Sequence, residues 1–323
     1  MKLLNRRVIR GFLTAALVTA AMAVQADDYP NRDITFIVPY GTGGSTDPIS
    51  RKFVEQLKKI LPANINVENK PGGSATIGGG AVVRAKPDGY TFGLGSNSSL
   101  AYQPLINSGL AYKSPDDYQS IVKLVDLPAI LVVRADAPWK TFEEFMADVK
   151  KNPGKIRASN SGFGTTDDLV TKQLNKVAGI RITPVPFSGG GGEAMVALLG
   201  GRVEASVSRG INTLPFYRAG QVRVLAVFKK GKYDMFPEAT PIGDTYDATL
   251  AAMYCVIAPK GMPKDVLDKL VNASLLAVKT PEFIAFAKSN GYVLDAKGPD
   301  AVKAELVNYT ATFAELLKEN EKK

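Results

Sequence analysis

The stretch "FIVPYGTGGSTDPISRKF", residues 36 to 53, runs from an apolar strand through glycines and hydroxyls into a helix, and the device recurs along the chain. Residues 159 to 168, "SNSGFGTTDD", and 186 to 195, "PFSGGGGEAM", repeat the strand–loop–helix junction. Residues 95 to 99, "GSNSS", add a polar turn after a strand. Short β-branched strands alternating with amphipathic helices predict an α/β protein built on parallel or mixed sheets. Behind the first junction, Ile49, Phe53, Val54, Leu57, Ile60 and Leu61 fall on one helical stripe. The pattern restarts after the Asn-Pro-Gly stop at residues 152 to 154. With 323 residues available, two α/β halves joined by crossing strands account for the alternation.

Such junctions aim backbone amides at an anion. In the first, Gly41, Gly43 and Gly44 permit positive φ or close approach of a ligand. Thr42, Ser45 and Thr46 supply hydroxyls, Asp47 suits an N-cap, and Pro48 suits the first helical position. No Gly-Lys-Ser/Thr follows the glycines, and no G-x-G-x-x-G fingerprint overlies them. Ligands of open α/β sheets sit outside the carboxyl ends of strands, so donor-rich loops from both halves should converge on a cleft between two domains.

What the chain lacks restricts its chemistry. It contains no histidine, the commonest general base and metal ligand, and no metal or other cofactor is expected. Cys255, the only cysteine, lies in the apolar run "MYCVIAP", reads as a buried inert thiol, and leaves no internal disulfide. Asp167 and Asp168 read as helix N-terminal acids rather than a catalytic carboxylate pair. Trp139 reads as a packing anchor. Arg209, between a strand and Gly210, could clamp a carboxylate from the cleft or lie over solvent; the sequence leaves both readings open.

The first residues form a separate segment. Lys2, Arg6, Arg7 and Arg10 precede the apolar run "GFLTAALVTAAMAV", and Val24 and Ala26 occupy the −3 and −1 places of a cleavage site. Residues 1–26 therefore read as an export signal cut at Ala26–Asp27, rather than as a membrane anchor, and no cysteine nearby would take a lipid. Removing its four Lys/Arg leaves 36 basic against 31 acidic residues. That mild excess suits an anionic small molecule, and without a dense basic stripe it predicts no nucleic-acid partner.

In this order, the loops resemble those of the Bug (TctC-like) family, extracytoplasmic receptors of tripartite tricarboxylate transporters. The resemblance rests on "FIVPYGTGGSTDPISR", "VENKPGGSATIGGGAVVRAKPDGYTFGLG", "VPFSGGGGEAMVALLGGRVEASV", "YRAGQVRVLAV" and "VIAPKGMPKDVLDKL", and spans essentially all of residues 27–323. It implies a two-domain periplasmic-binding fold, with residues 27–127 and 251–323 in one domain and 128–250 in the other. It implies a monomeric periplasmic receptor that closes on a small carboxylate and hands it to a membrane permease. By that resemblance Tyr40, Gly43, Gly44, Ser45, Thr46 and Asp47 hold a ligand carboxylate through amides and ordered waters. Ser161, Gly164, Thr165 and Thr166, with Phe187, Ser188 and Gly189, grip the other side. Ser96, Asn97 and Ser98 complete the first-domain wall. Two departures matter. Asp167 or Asp168 stands where relatives often have histidine, and Ser208-Arg209 stands where many have an acid or amide. The second departure predicts a dicarboxylate, aliphatic or aromatic such as terephthalate, rather than an amino acid. The rival readings are an exported enzyme or a sensor component on the same fold.

Overall fold

The computed structural model describes residues 29–320; the expected export signal lies outside them. The strands form two sheets of six. The first contains β1 (Ile34–Val38), β2 (Ile65–Asn69), β3 (Thr91–Ser96) and β4 (Tyr118–Leu127), and the last two strands of the chain, β11 (Ala252–Pro259) and β12 (Val293–Lys297). The second contains β5 (Ala129–Arg134), β6 (Arg157–Asn160), β7 (Thr183–Pro186), β8 (Ala205–Arg209), β9 (Val222–Val227) and β10 (Thr240–Pro241). The orders are β12-β4-β11-β3-β1-β2 and β10-β9-β5-β8-β6-β7. In each sheet a parallel trio, β2-β1-β3 or β7-β6-β8, is joined by an antiparallel strand, β11 or β5. That strand comes from the chain's passage between lobes. Pro128 alone separates β4 from β5, and residues 242–251 carry the chain back to β11. This is the two-domain α/β fold expected from the alternation.

Helices cover both faces of both sheets: α1 (Thr46–Lys58), α2 (Thr76–Val83), α3 (Gln103–Ile106), α4 (Phe142–Lys151), α5 (Thr166–Val177), α6 (Gly191–Leu199), α7 (Gly210–Arg218), α8 (Lys264–Ala277), α9 (Pro281–Ser289) and α10 (Pro299–Asn320). A strand covered on both faces reads as continuously apolar, with alternate residues entering opposite cores. In β11, Tyr254, Val256 and Ala258 pack on one side while Met253, Cys255 and Ile257 pack on the other. In β5, Leu131 and Val133 divide likewise from Ile130 and Val132. The α1 stripe enters the first core, with Ile49, Phe53 and Leu57 fully buried and Ile60 partly so. Trp139 packs edge-on against Phe145 and donates Nε1 to Asp148 at 2.9 Å, the anchoring role expected of it. The segment holding α9, β12 and α10 was not foreseen as separate elements; β12 closes the far edge of the first sheet.

The first junction differs in detail from its sequence reading. α1 begins at Thr46, Ser45 is its N-cap, and Asp47 and Pro48 fall one or two positions inside. Asp47 is drawn there by partners within its own lobe: Arg51 Nε donates to it at 2.9 Å and Asn69 Nδ2 at 2.8 Å.

Candidate ligand-binding site

Loops at the carboxyl ends of β1, β3, β6, β7 and β8 meet the first residues of β11 around one cavity at the seam between lobes. The first lobe contributes Tyr40, Gly41, Gly44, Ser45, Thr46, Ser96, Ser98, Ala252 and Tyr254. The second contributes Ser161, Thr165, Thr166, Asp167, Gly189, Gly190, Gly191, Arg209 and Asn212. The void they leave measures about 30 Å³, room for roughly two waters. The lobes touch around it. Phe163 O accepts from Ser74 Oγ at 2.6 Å and from Gln103 Nε2 at 3.2 Å, and Tyr233 Oη donates to Gly291 O at 2.7 Å. The conformation described is a closed one.

The first turns of α1, α5, α6 and α7 all line this cavity. None of their N-cap residues, Ser45, Thr165, Gly190 or Arg209, makes a side-chain cap. Thr141 and Thr280 do cap α4 and α9, which start elsewhere; α2 and α3 also start uncapped, each as the continuation of a preceding short helix, and α8 starts uncapped beside exposed residues that water can serve. The seam therefore gathers N–H groups with no intrahelical acceptor, at the positive ends of helix dipoles, where water has little room. That is an anion site made of main chain.

Hydroxyls surround these amides. Ser45 Oγ lies 2.8 Å from Tyr254 Oη, and Tyr292 Oη donates to Ser45 O. Burial raises the pKa of Tyr40, with Tyr254 nearby adding to the rise. Burial likewise raises Tyr254, against the opposing pull of Arg209. Both phenols keep their protons at neutral pH and can donate.

Arg209 faces the cavity, but it is not a free clamp. Its Nη1 donates to Leu127 O at the lobe crossing and its Nη2 contacts Asp167 Oδ1. Both side chains are 4% exposed. Asp167 Oδ2 accepts from Ser161 Oγ at 2.7 Å, whereas Oδ1 has no aligned hydrogen bond. Asp167 was expected to be a plain helix-start acid. It does stand in the first turn of α5, and its place beside the end of β8 makes it the counter-ion of Arg209 as well. The sequence argument that Ser-Arg replaces an acid in the cleft is corrected accordingly, because Asp167 supplies one.

Of the other residues singled out from the sequence, Tyr40, Gly44, Ser45, Thr46, Ser96, Ser98, Ser161, Thr165, Thr166 and Gly189 line the same cavity. Gly43, Asp47, Asn97, Gly164, Phe187, Ser188 and Ser208 do not. Gly43 is exposed at a loop tip with φ +81°, and Asp47 is turned to Arg51 and Asn69. Gly164 N donates to Asp168 at 2.9 Å; Phe187 joins an apolar core; Ser188 is exposed; Ser208 accepts from Thr213 Oγ1. Asn97 sits behind the wall, fully buried. Its Oδ1 accepts from Thr166 Oγ1 and Met253 N at 3.2 Å each, and its Nδ2 donates to Ala251 O at 3.0 Å. It ties α5 of one lobe to the second crossing.

Sequence reasoning missed Tyr254, Ala252 and Asn212 as lining residues and stopped one residue short of Gly191, whereas Gly41 and Gly190 fall within the loops it selected. Tyr254 reaches the seam because its strand re-enters antiparallel and so begins where its neighbour β3 ends, Tyr254 pairing with Ser96. Cys255, one residue on, points into the opposite core, and burial pushes its thiol up to about 12.

The sequence has relatives that match this architecture. The tripartite tricarboxylate transporter family receptor profile matches residues 49–305. The chain belongs to that receptor family. It is 32% identical over 295 residues to the UPF0065 protein in the TAR-I ttuE-ttuC' intergenic region of Agrobacterium vitis, covering 90% of this chain and 84% of that one. It is 30% identical to protein BugT of Bordetella pertussis across 97% and 96% of the two chains. Among solved structures it is similar to the periplasmic binding protein BugD, at 29% identity and a TM-score of 0.81 over 90% of this chain and 98% of that one. A TctC/Bug-type receptor, as the loop motifs suggested, is thus the family of this chain, and family membership spans both lobes that build the seam.

Proposed function

We propose that this TctC-family receptor is a periplasmic, non-catalytic protein that captures a small carboxylate between its lobes and presents the closed form to the membrane permease of its transporter. The observation that carries this reading is the convergence of uncapped helix starts from both lobes on one closed seam. A carboxylate fits such a site because its oxygens accept several charge-assisted N–H bonds without any titratable partner. Lobe closure on the ligand then shifts the population toward the form a permease can recognise.

The ligand frame we propose is a short dicarboxylate or a close derivative: one carboxylate at the amides, a second polar end at Arg209. A void of about 30 Å³ is smaller than any dicarboxylate, so an aliphatic diacid and an aromatic one such as terephthalate alike would bind with the lobes further apart than here. An enzymatic reading has less support. The nucleophile candidate Cys255 lies off the cavity, and the cavity's hydroxyls have no histidine to activate them.

A thermal-shift screen of mono-, di- and tricarboxylates tests the reading. Binding to the native state alone stabilises it by ~2.7 kcal/mol at a hundredfold excess over Kd. Incubation with any binder, followed by mass analysis, should return it unchanged. No stabilisation by any carboxylate, or an altered product, would overturn the proposal.

A further inference from the structure

Most of the cavity wall is made of neutral donors, but one corner is different. There Asp167 and Arg209 lie side by side, both almost wholly buried and both lining the void. The guanidinium has used Nη1 on Leu127 O and Nη2 on Asp167, which leaves further N–H groups among its five. The carboxylate has used Oδ2 on Ser161 Oγ, while Oδ1 is buried without an aligned hydrogen bond. The corner therefore presents free guanidinium donors beside a carboxylate oxygen whose one contact is the ion pair with Arg209, leaving it lone-pair capacity to accept from a ligand, and its net charge is zero.

Three kinds of ligand group can be weighed against that corner. A carboxylate offers acceptors only, so an oxygen bonded to Arg209 brings negative charge toward Asp167 in a site nearly free of water. An ammonium offers donors only, and a position on Asp167 brings it against the guanidinium. A primary carboxamide carries an acceptor oxygen and two N–H donors on one carbon and has no net charge. It can accept from Arg209 while donating to Asp167 Oδ1. Leaving a buried polar group unpaired is what a site built for hydrogen bonding penalises most.

We infer that Asp167 is a specificity residue and that the Asp167–Arg209 pair selects a ligand with one carboxylate and one neutral donor–acceptor end, a half-amide in place of the full diacid. The inference rests on the reading of the seam as a carboxylate site. It deepens that reading by exchanging the second carboxylate for its amide.

The probes are matched pairs of increasing chain length: succinate against succinamate, glutarate against glutaramate, and adipate against adipamate, measured by titration calorimetry on the intact mature chain. At the length that fits, the half-amide should bind about tenfold tighter than its diacid. The isosteric change Asp167→Asn removes the negative charge and should reverse that preference toward the diacid, while Ser161→Ala should leave the sign of the preference unchanged. The wild-type ratio needs no variant, so a poorly folding Asp167→Asn leaves the test intact. A diacid equal to or tighter than its half-amide at every length overturns the inference while sparing the carboxylate reading. So does an Asp167→Asn ratio equal to wild type. Failure of every probe to bind overturns both.

Discussion

The two lobes share a topology and differ in where they put charge. β1, β2 and β3 of the first correspond in sheet position to β6, β7 and β8 of the second, and β11 corresponds to β5. Each lobe therefore offers loops at equivalent strand ends. The first lobe lines the seam with glycine, serine, threonine, tyrosine and alanine alone, whereas the second places Asp167 and Arg209 there. The first lobe also buries a charge network, but its members do not line the cavity. Lys123, 3% exposed, sits 2.9 Å from Asp126, 2.7 Å from Asp295 and 2.7 Å from Glu305, linking β4 to β12 and α10. One fold thus carries two uses of buried charge, one that fixes a sheet edge and one that faces the ligand cavity. In the second use the charges are neutralised in place, so anion attraction is left to main chain and discrimination to side chains.

The largest expected effect separates these two uses. Lys123→Met takes Asp126's ion-pair partner and leaves Asp295 and Glu305 to Lys297 alone, and Arg209→Met strands Asp167; each should lose roughly 3 to 5 kcal/mol of stability in urea unfolding. Only Arg209→Met should also weaken carboxylate binding, measured at temperatures where both variants are folded. Equal affinity in the two variants would erase the distinction between the lobes.

Next comes closure itself, which sharpens the comparison because neither lobe's interior is touched. A Cβ on Gly192, in the second lobe, would stand 2.9 Å from Gly43 O in the first. Backbone cannot give way as a side-chain tip can. Gly192→Ala should therefore hold the seam ajar and weaken binding by about 1 to 3 kcal/mol. Its unfolding free energy in urea should stay within about 0.5 kcal/mol of wild type. Small-angle scattering with saturating ligand should show a larger radius than wild type, and an identical radius would refute the mechanism.

The neutral wall should respond more weakly. Tyr254→Phe removes one phenol and leaves Ser45 Oγ without its 2.8 Å neighbour. A single buried hydrogen bond contributes ~1 kcal/mol, so affinity should fall about fivefold. A fall of a hundredfold or more would mean that the first lobe grips through side chains, not amides.

The uneven roles of the lobes explain what the sequence could show. Glycine-rich junctions are local signals: a strand, a turn and a helix start within a dozen residues fix where amides point. Tyr40 through Thr46 and Ser161 through Thr166 were legible for that reason. The Asp167–Arg209 pair joins residues of separate elements, brought together by the parallel β6-β8 pairing, and no local pattern announces it. The same holds for Asn97, whose amide ties Thr166 to the second crossing, although it stands among serines that do line the cavity. The parallel trios were legible from strand–helix alternation. The antiparallel return of β11, which brings Tyr254 to the seam, depends on the order of strands in the finished sheet.

The smallest effect is a dependence on pH, and it belongs to the lobe that hides its charges. Asp295 and Glu305 are held below the ordinary carboxylate range: burial acts against this, but hydrogen bonds to Lys123 and Lys297 outweigh it. Asp126 is raised instead, because burial exceeds what Lys123 returns. For the lowered pair, the unfolded chain binds more protons than the folded one in the window just below the ordinary values, about pH 4. Their contribution is present above that window and is lost as pH falls through their folded values. Asp126 works the other way over the range above its ordinary value, since the folded chain holds its proton longer, and it flattens the curve. Wild-type stability should therefore fall shallowly between about pH 5 and 3, as the urea midpoint would show. In Lys123→Met the pair keeps Lys297 but loses its first donor, so both acids are lowered less while Asp126 is raised more. The midpoint should then fall less steeply with acid than in wild type. A variant whose acid slope matches wild type would show that Lys123 does not set these carboxylates, and that the two lobes differ less in their electrostatics than their geometry implies.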